Sequence, residues 1–188
     1  MKRKGFTLIE LLSVVAIIAI LAAIAVPNFL EAQIRSKVSR CNADLRMLTT
    51  ALEAYCVDNS VYPPMYRGAT QMARMERLAA MTTPIAYITA VPLDIFDMAL
   101  GNVAVAQRVY PYWDPAYADG QKASATGMFL YMPEERMKKG RWTLLGAGPD
   151  QDYEAAVGLF GLATEGKLKQ YDPTNGTVSD GDIARFGP

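Results

Sequence analysis

The longest hydrophobic stretch of the chain lies close to its amino terminus. Residues 11–30 carry no charged side chain, and only Ser13, Pro27 and Asn28 interrupt the apolar sequence. In a helix that rises ~1.5 Å per residue, twenty residues span ~30 Å, which is the thickness of the hydrocarbon core of a bilayer. The pattern therefore predicts a transmembrane helix over about residues 11–30.

The hydrophobic pattern continues beyond this segment with a spacing of three to four residues. At ~100° per residue the apolar positions fall within an arc of roughly 100°, which predicts an amphipathic helix whose stripe packs on the rest of the chain. A single helix over residues 6–56 would be ~75 Å long. Pro27 removes one backbone donor, so we expect a kink or local melting near residues 23–28. The stripe consists of Leu30, Ile34, Val38, Cys41, Leu45, Leu48, Leu52, Tyr55 and Cys56.

The remainder, residues 57–188, has the pattern of a small globular domain. Turn residues after Cys56 end the long helix, and residues 70–81 have the period of a second helix. Residues 110–115 are rich in Tyr and Pro and predict an aromatic loop. Residues 128–132 and 141–145 predict two strands joined by a charged hairpin connection. The expected fold is α+β: a long amino-terminal helix packed on a small antiparallel β-sheet.

Composition excludes several classes of function. The chain has 19 Lys and Arg against 19 Asp and Glu, so bulk charge gives no support for nucleic-acid binding. It has no histidine, which removes the commonest zinc ligand and the usual base at neutral pH, and we expect no enzyme activity. Cys41 and Cys56 would be ~22 Å apart on one straight helix, too far for a disulfide, so we interpret both as small core residues.

The charges at the amino terminus are unusual for an ordinary apolar segment. Three basic residues precede it, which places the amino terminus in the cytoplasm and the rest of the chain outside. Glu10 lies at the head of the apolar run, where a carboxylate costs ~2.5–3.5 kcal/mol or more. Cleavage before Phe6 would create an ammonium group one helical turn away that could pair with Glu10. The alternative is that Glu10 offsets the helix dipole, which contributes only ~0.3–1 kcal/mol.

These residues together resemble a known signature. The sequence Lys4-Gly5-Phe6-Thr7-Leu8-Ile9-Glu10-Leu11 resembles that of type IV prepilins and type II secretion pseudopilins. The resemblance implies that residues 1–5 are a leader, that a prepilin peptidase cuts after Gly5 and methylates Phe6, and that Glu10 helps the subunit to enter a filament. It also implies a lollipop-shaped subunit of the bacterial inner membrane, with a periplasmic globular domain. Its partners would be further copies, minor pilins and an inner-membrane assembly platform.

The carboxy-terminal region is acidic and rich in glycine. Clustered carboxylates and amide oxygens in turns suit a hard cation such as calcium, although Asn-Gly and Asp-Gly are also ordinary turn formers. The tail resembles that of major type II secretion pseudopilins, which have a calcium site in a carboxy-terminal acidic loop. The candidate ligands are Asp172, Asn175, Asp180 and Asp182, with Asp150 and Asp152 as further candidates.

The function that the sequence predicts is therefore a structural filament subunit. It fits a secretion pseudopilin, a surface pilin and a DNA-uptake subunit alike, and the acidic tail favours the first. The alternative is a secreted or signal-anchored binding domain, with residues 23–25, Ala-Ile-Ala, serving as a signal-peptidase site.

Overall fold

The computed structural model describes residues 5–64, 66–67, 70–71, 73–97, 108–114, 142–151, 170–174, 179 and 181–187. The architecture is α+β, as predicted: one long helix packs on a small antiparallel sheet. In chain order the elements are α1 (Leu8–Asn59), β1 (Tyr66–Arg67), β2 (Thr70–Gln71), α2 (Arg74–Ala79), β3 (Tyr112–Trp113), β4 (Thr143–Gly146) and β5 (Ile183–Phe186).

Helix α1 has 52 residues and is therefore ~78 Å long. It ends three residues later than predicted, because the turn formers Asp58 and Asn59 still belong to its last turn. The helix stops where Ser60 adopts the left-handed conformation, with φ 60°, and its N–H donates to the carbonyl of Cys56 at 2.8 Å. A left-handed residue is a common way to end a helix, since it turns the chain away while satisfying a terminal carbonyl.

Pro27 lies inside α1 without interrupting it. The helix is continuous through residues 23–28, so the chain does not melt there, and the other predicted outcome, a kink, stays a prediction. Proline removes one backbone donor, but the hydrogen bonds of the neighbouring turns remain available to hold the helix together. The loss at a single position does not outweigh the helical preference of the apolar residues on either side.

The two halves of α1 differ completely in burial. Every residue from Gly5 to Leu30 is exposed, whereas the carboxy-terminal half buries the predicted stripe. Leu30, which the pattern placed on that stripe, is exposed, because the globular part of the chain begins to cover the helix only above it. The buried residues of α1 are Val38, Cys41, Leu45, Leu48, Ala51 and Leu52.

The sheet that receives this stripe has the order β3-β4-β5, with both pairs antiparallel. Strand β4 confirms the strand predicted over 141–145, shifted by one to two residues. Its partners in the described chain are β3 and β5, and the predicted partner strand over 128–132 lies outside the described residues. Tyr112 and Trp113 form a buried strand where we predicted a loop, because aromatic side chains favour strands and the nearby prolines only limit its length.

The part of the chain between α1 and β3 forms a two-stranded hairpin and a short helix. Strands β1 and β2 pair with each other as a two-stranded hairpin. The helix predicted over 70–81 is shortened to the six residues of α2, because its first residues are paired in β2. Arg77, at the end of α2, is buried and donates to the carbonyl of Tyr112 at 3.1 Å, which ties this layer to the sheet.

Gly146 of β4 lies tightly against helix α1. A Cβ atom added there would lie 2.7 Å from Sγ of Cys41 and 3.2 Å from a ring carbon of Tyr110. Cβ atoms rarely come this close to another heavy atom, so the contact requires glycine at this position of β4. The separation of helix and sheet is therefore set by Gly146 opposite Cys41.

Candidate functional site

The start of α1 is held by a reciprocal pair of side chains. Oγ1 of Thr7 accepts from the backbone N–H of Glu10 at 3.3 Å, and Glu10 Oε2 accepts from the N–H of Thr7 at 2.9 Å. The Thr7 hydroxyl also donates to the same carboxylate oxygen at 2.6 Å. This arrangement is a capping box, which satisfies terminal backbone donors and fixes the first residue of the helix. Glu10 is therefore engaged by the end of its own helix.

The two residues of the predicted cleavage site lie just before this cap. Gly5 and Phe6 are outside the helix and exposed, with 75% of the Phe6 surface accessible. A Cβ atom at Gly5 would meet nothing within 4 Å, so packing within the chain does not require glycine there. The peptide bond between them is thus accessible from outside the molecule.

The surface of α1 from residue 8 to residue 30 is almost entirely apolar and entirely exposed. By length and composition α1 could cross a membrane, and none of its most apolar stretch is buried within the chain. Burying such a surface is favourable by ~25 cal/mol per Å², which means that a soluble monomer would pay a large free-energy penalty. This surface needs either lipid or neighbouring helices.

Two carboxylates tie the upper half of α1 to the globular part. Glu53 accepts from the indole N–H of Trp142 at 2.7 Å and from the Tyr62 hydroxyl at 3.2 Å. Nearer the exposed apolar half of α1, Asp44 accepts from the Tyr110 hydroxyl at 3.1 Å. The bonds from Trp142 and Tyr110 join residues that are 89 and 66 positions apart in the chain. They fix the rotation of the helix relative to the sheet in addition to the apolar packing.

The core at this junction strongly disfavours charge. Burial, together with the nearby carboxylate of Asp94, raises the pKa of the Cys41 thiol to about 12. Burial likewise raises the pKa of the Tyr110 hydroxyl far above its usual value. Both groups are neutral at physiological pH, and Cys41 is a free, buried thiol. This agrees with its interpretation as a small core residue.

The candidate metal ligands are only partly within the described residues. Asn175, Asp180 and Asp152 lie outside them. Asp150 lies beside the carboxy-terminal loop, where its carboxylate accepts from the N–H of Gly181 at 2.6 Å. Asp172 accepts from the hydroxyl and the backbone N–H of Thr174 at 2.6 and 2.8 Å, which lowers its pKa.

Asp182, the remaining candidate, is fully buried at the start of β5. Within the described parts of the chain, no three His, Cys, Asp or Glu side chains are grouped closely enough to hold a metal ion. Asp150 and Asp172 have protein hydrogen-bond partners, and the described carboxylates of this region do not by themselves form a cation site. Calcium binding therefore stays a prediction.

Sequence reasoning missed the role of Thr7. The pattern Thr-x-x-Glu ahead of an apolar run is the usual sign of a capping box, and residues 7–10 match it. It also missed the link from Glu53 to Trp142. No local pattern identifies that pair, because its two residues meet only after the sheet has formed.

Comparison with known proteins agrees with these features. Residues 1–26 match the family described as the prokaryotic N-terminal methylation motif. The type IV major pilin protein PilA of Myxococcus xanthus is 51% identical over 61 residues, which are 32% of this chain and 28% of that protein. The type II secretion system core protein G of Escherichia coli is 32% identical over 96 residues, which are 50% of this chain and 66% of that protein.

The chain therefore carries the N-terminal methylation motif and, over part of its length, is similar to type IV pilins and to a type II secretion core protein. The matches cover less than two thirds of the length of each of these relatives. A third pilin relative, the wide pilus major component PilA4 of Thermus thermophilus, is 51% identical over 59 residues, which are 31% of this chain and 45% of that protein. No solved structure matches the chain. The residues that match the family model, 1–26, include the capping box and most of the exposed apolar half of α1.

Proposed function

We propose that this chain is a structural filament subunit, stored in the membrane and then assembled through the exposed half of α1. The observation that carries the proposal is the contrast within one helix. Residues 8–30 are apolar and uncovered, while the globular part packs only on the half above them. Lipid covers the lower half before assembly, and the helices of other subunits cover it in the filament. The pilin and secretion proteins among the relatives support this role.

The proposed partners and topology follow from the same segment. The basic residues before Gly5 hold the amino terminus on the cytoplasmic side of the inner membrane, and the globular part lies in the periplasm. A prepilin peptidase cuts between Gly5 and Phe6 and methylates the new terminus. Further copies, minor pilins and an inner-membrane assembly platform then build the filament. The role is structural rather than catalytic.

The processing step is tested by intact mass and amino-terminal sequencing of the protein from native membranes. We expect a chain that begins at Phe6 and carries one additional methyl group. A chain that begins at Val26 would instead support a secreted domain released by signal peptidase. The continuity of α1 through residues 23–28 argues against that alternative, because such a cut would sever an unbroken helix.

Glu10 is the proposed assembly residue, and its charge can be separated from its capping role. Glu10→Gln keeps an oxygen that can accept from Thr7 but removes the charge. Thr7→Val removes the hydroxyl of the cap but keeps the carboxylate. If assembly depends on a pair between Glu10 and the new ammonium group of Phe6, Glu10→Gln loses filament incorporation and Thr7→Val retains most of it. Membrane insertion stays normal in both.

These two variants also give the result that would contradict the proposed role. Normal incorporation of Glu10→Gln would show that the charge is dispensable. Loss of incorporation in Thr7→Val alone would assign the effect to the helix cap rather than to an ion pair. The measurement is the fraction of subunit in sheared filaments against the fraction left in membranes.

A further inference from the structure

A group of exposed cations lies just above the apolar half of α1. Arg35, Lys37 and Arg40 are all exposed on the helix, within ten residues of Leu30. Arg35 forms an ion pair with Glu31 at 2.5 Å, but the pair is exposed and contributes little to stability. In the described part of the chain, no carboxylate lies within ion-pair distance of Lys37 or Arg40.

The Cα atom of Arg35 lies at the height of the headgroup layer of a bilayer, and those of Lys37 and Arg40 lie above it, within or near reach of their long side chains. If Leu30 marks the end of the hydrocarbon core, the Cα atoms of Arg35, Lys37 and Arg40 lie ~7.5, ~10.5 and ~15 Å above it. The headgroup layer is ~5–8 Å thick on each side. Side chains on a helix lean toward its amino terminus, which here is the direction of the membrane. The ion pair from Arg35 back to Glu31 follows this direction.

The cations lie on two opposite sides of the helix, Arg35 on one and Lys37 with Arg40 on the other. At ~100° per residue, Lys37 and Arg40 lie about 160° and 140° from Arg35, in opposite directions around the axis. A neighbouring helix or a flat protein surface covers only one side of α1. The plane of a membrane surrounds a helix that crosses it, so the headgroups can reach all three cations together.

We propose that Arg35, Lys37 and Arg40 form a collar that binds the phosphates of anionic phospholipids while the subunit is stored in the membrane. This inference rests on the proposed membrane insertion of residues 8–30. The collar sets the depth of the helix and holds the globular part close to the membrane surface. Entry into a filament then breaks these lipid contacts.

The test compares lipids retained by the full-length chain. The protein is placed in nanodiscs of phosphatidylcholine with a minority of phosphatidylglycerol and extracted at low salt into a neutral detergent. Mass spectrometry then gives the enrichment of phosphatidylglycerol over its share in the nanodisc. The triple variant Arg35→Gln, Lys37→Gln, Arg40→Gln removes the collar. The control Arg46→Gln removes an exposed charge of the same helix that lies ~24 Å above Leu30.

We expect the wild-type chain and Arg46→Gln to enrich phosphatidylglycerol equally. A cation close to an anionic surface changes binding by about fivefold, so the triple variant should lose enrichment by about fivefold or more. Raising the salt concentration should reduce the wild-type enrichment.

Three outcomes would overturn the proposal: no enrichment by the wild-type chain, full enrichment by the triple variant, or equal losses in the triple variant and Arg46→Gln. If the collar instead contacts a second copy, the triple variant reduces crosslinking between subunits in pure phosphatidylcholine, and no lipid is enriched. Resistance to alkaline extraction is measured on all variants. If alkaline extraction removes the wild-type chain from the membrane, this result would contradict membrane insertion itself and not the collar alone.

Discussion

The close approach of α1 to β4 makes Gly146 a sensitive test of how this fold is packed. Changing Gly146 to Ala places a Cβ atom 2.7 Å from Sγ of Cys41, which is fully buried. Neither atom can move freely, because one belongs to the central strand of the sheet and the other to the helix. The new methyl group must therefore push the helix and the sheet apart.

The expected magnitude follows from the size of this overlap. Overpacking a dense core by one methyl group costs about 1–3 kcal/mol. Cys41→Ala removes the sulfur and leaves a small void, which costs about 1 kcal/mol by analogy with the loss of one methylene. In the double variant the methyl group introduced by Gly146→Ala occupies the space that the sulfur has left. The double variant should therefore be about 1–2 kcal/mol more stable than the sum of the two single changes implies.

The assay is urea unfolding of a fragment that begins at Asn28. Among the described residues, every buried side chain lies beyond this point, from Val38 onward, so the fragment keeps the whole described core. The free energies of unfolding are compared with one common m-value, the slope of the free energy of unfolding against urea concentration. Cys56→Ala is the matched control, because Cys56 is half-buried on the same helix but is not among the atoms near Gly146. It should combine additively with Gly146→Ala.

Additive behaviour of the Cys41→Ala, Gly146→Ala pair would refute this reasoning. It would mean that the helix and strand move apart at little cost, or that the two residues do not share one contact. The same conclusion would follow if Gly146→Ala alone were as stable as the wild-type chain.

Four further predictions concern other parts of the chain. Glu53→Ala leaves the Trp142 indole without its acceptor and should lower the free energy of unfolding by about 1–3 kcal/mol in the same urea assay. Thr7→Val should speed hydrogen exchange in the first turn of α1 in detergent, while Thr7→Ser should not, since only the hydroxyl caps the helix. The Cys41 thiol loses its proton near pH 9 in the unfolded chain and near pH 12 in the folded chain, because its pKa is raised by folding. The free energy of unfolding should therefore fall above pH 9 by up to about 1.4 kcal/mol per pH unit, and Cys41→Ala should reduce this slope. If calcium binds the carboxy-terminal loops, the thermal midpoint of the fragment rises with millimolar calcium relative to chelator, and equal midpoints would exclude such a site.

The sequence predicts the parts of this structure that depend on local periodicity. The apolar segment and the buried stripe of α1 were predictable because a helix brings residues three and four apart onto one face. The helix end could not be located to the residue, since Asp58 and Asn59 are tolerated in a last turn that closes at Ser60. Pro27 shows the opposite limit: the sequence allowed a kink or local melting there, and the helical context around the proline keeps the helix continuous.

Contacts between distant residues were not predictable from pattern. The pairing of β4 with β3 and β5 joins segments that lie far apart in the chain, and the short strand at Tyr112 and Trp113 has no alternation to identify it. At the helix start the situation is different. Glu10 was recognised from its cost in an apolar segment, and its partner Thr7 was available in the same four residues but became evident only in the structure.

The last strand of the described chain completes the sheet, and this constrains how the subunit is made. Strand β5 pairs along the whole of β4, and Gly187 then donates to the carbonyl of Trp142 at 2.8 Å. The ribosome therefore releases the helix first, while the residues that cover its stripe are still being synthesised. Contacts that span most of a chain form slowly, because the intervening loop must close before they are gained. Stable folding of the globular part thus has to wait until β5 has been synthesised, and a stop codon that removes β5 would leave the stripe of α1 without part of its cover.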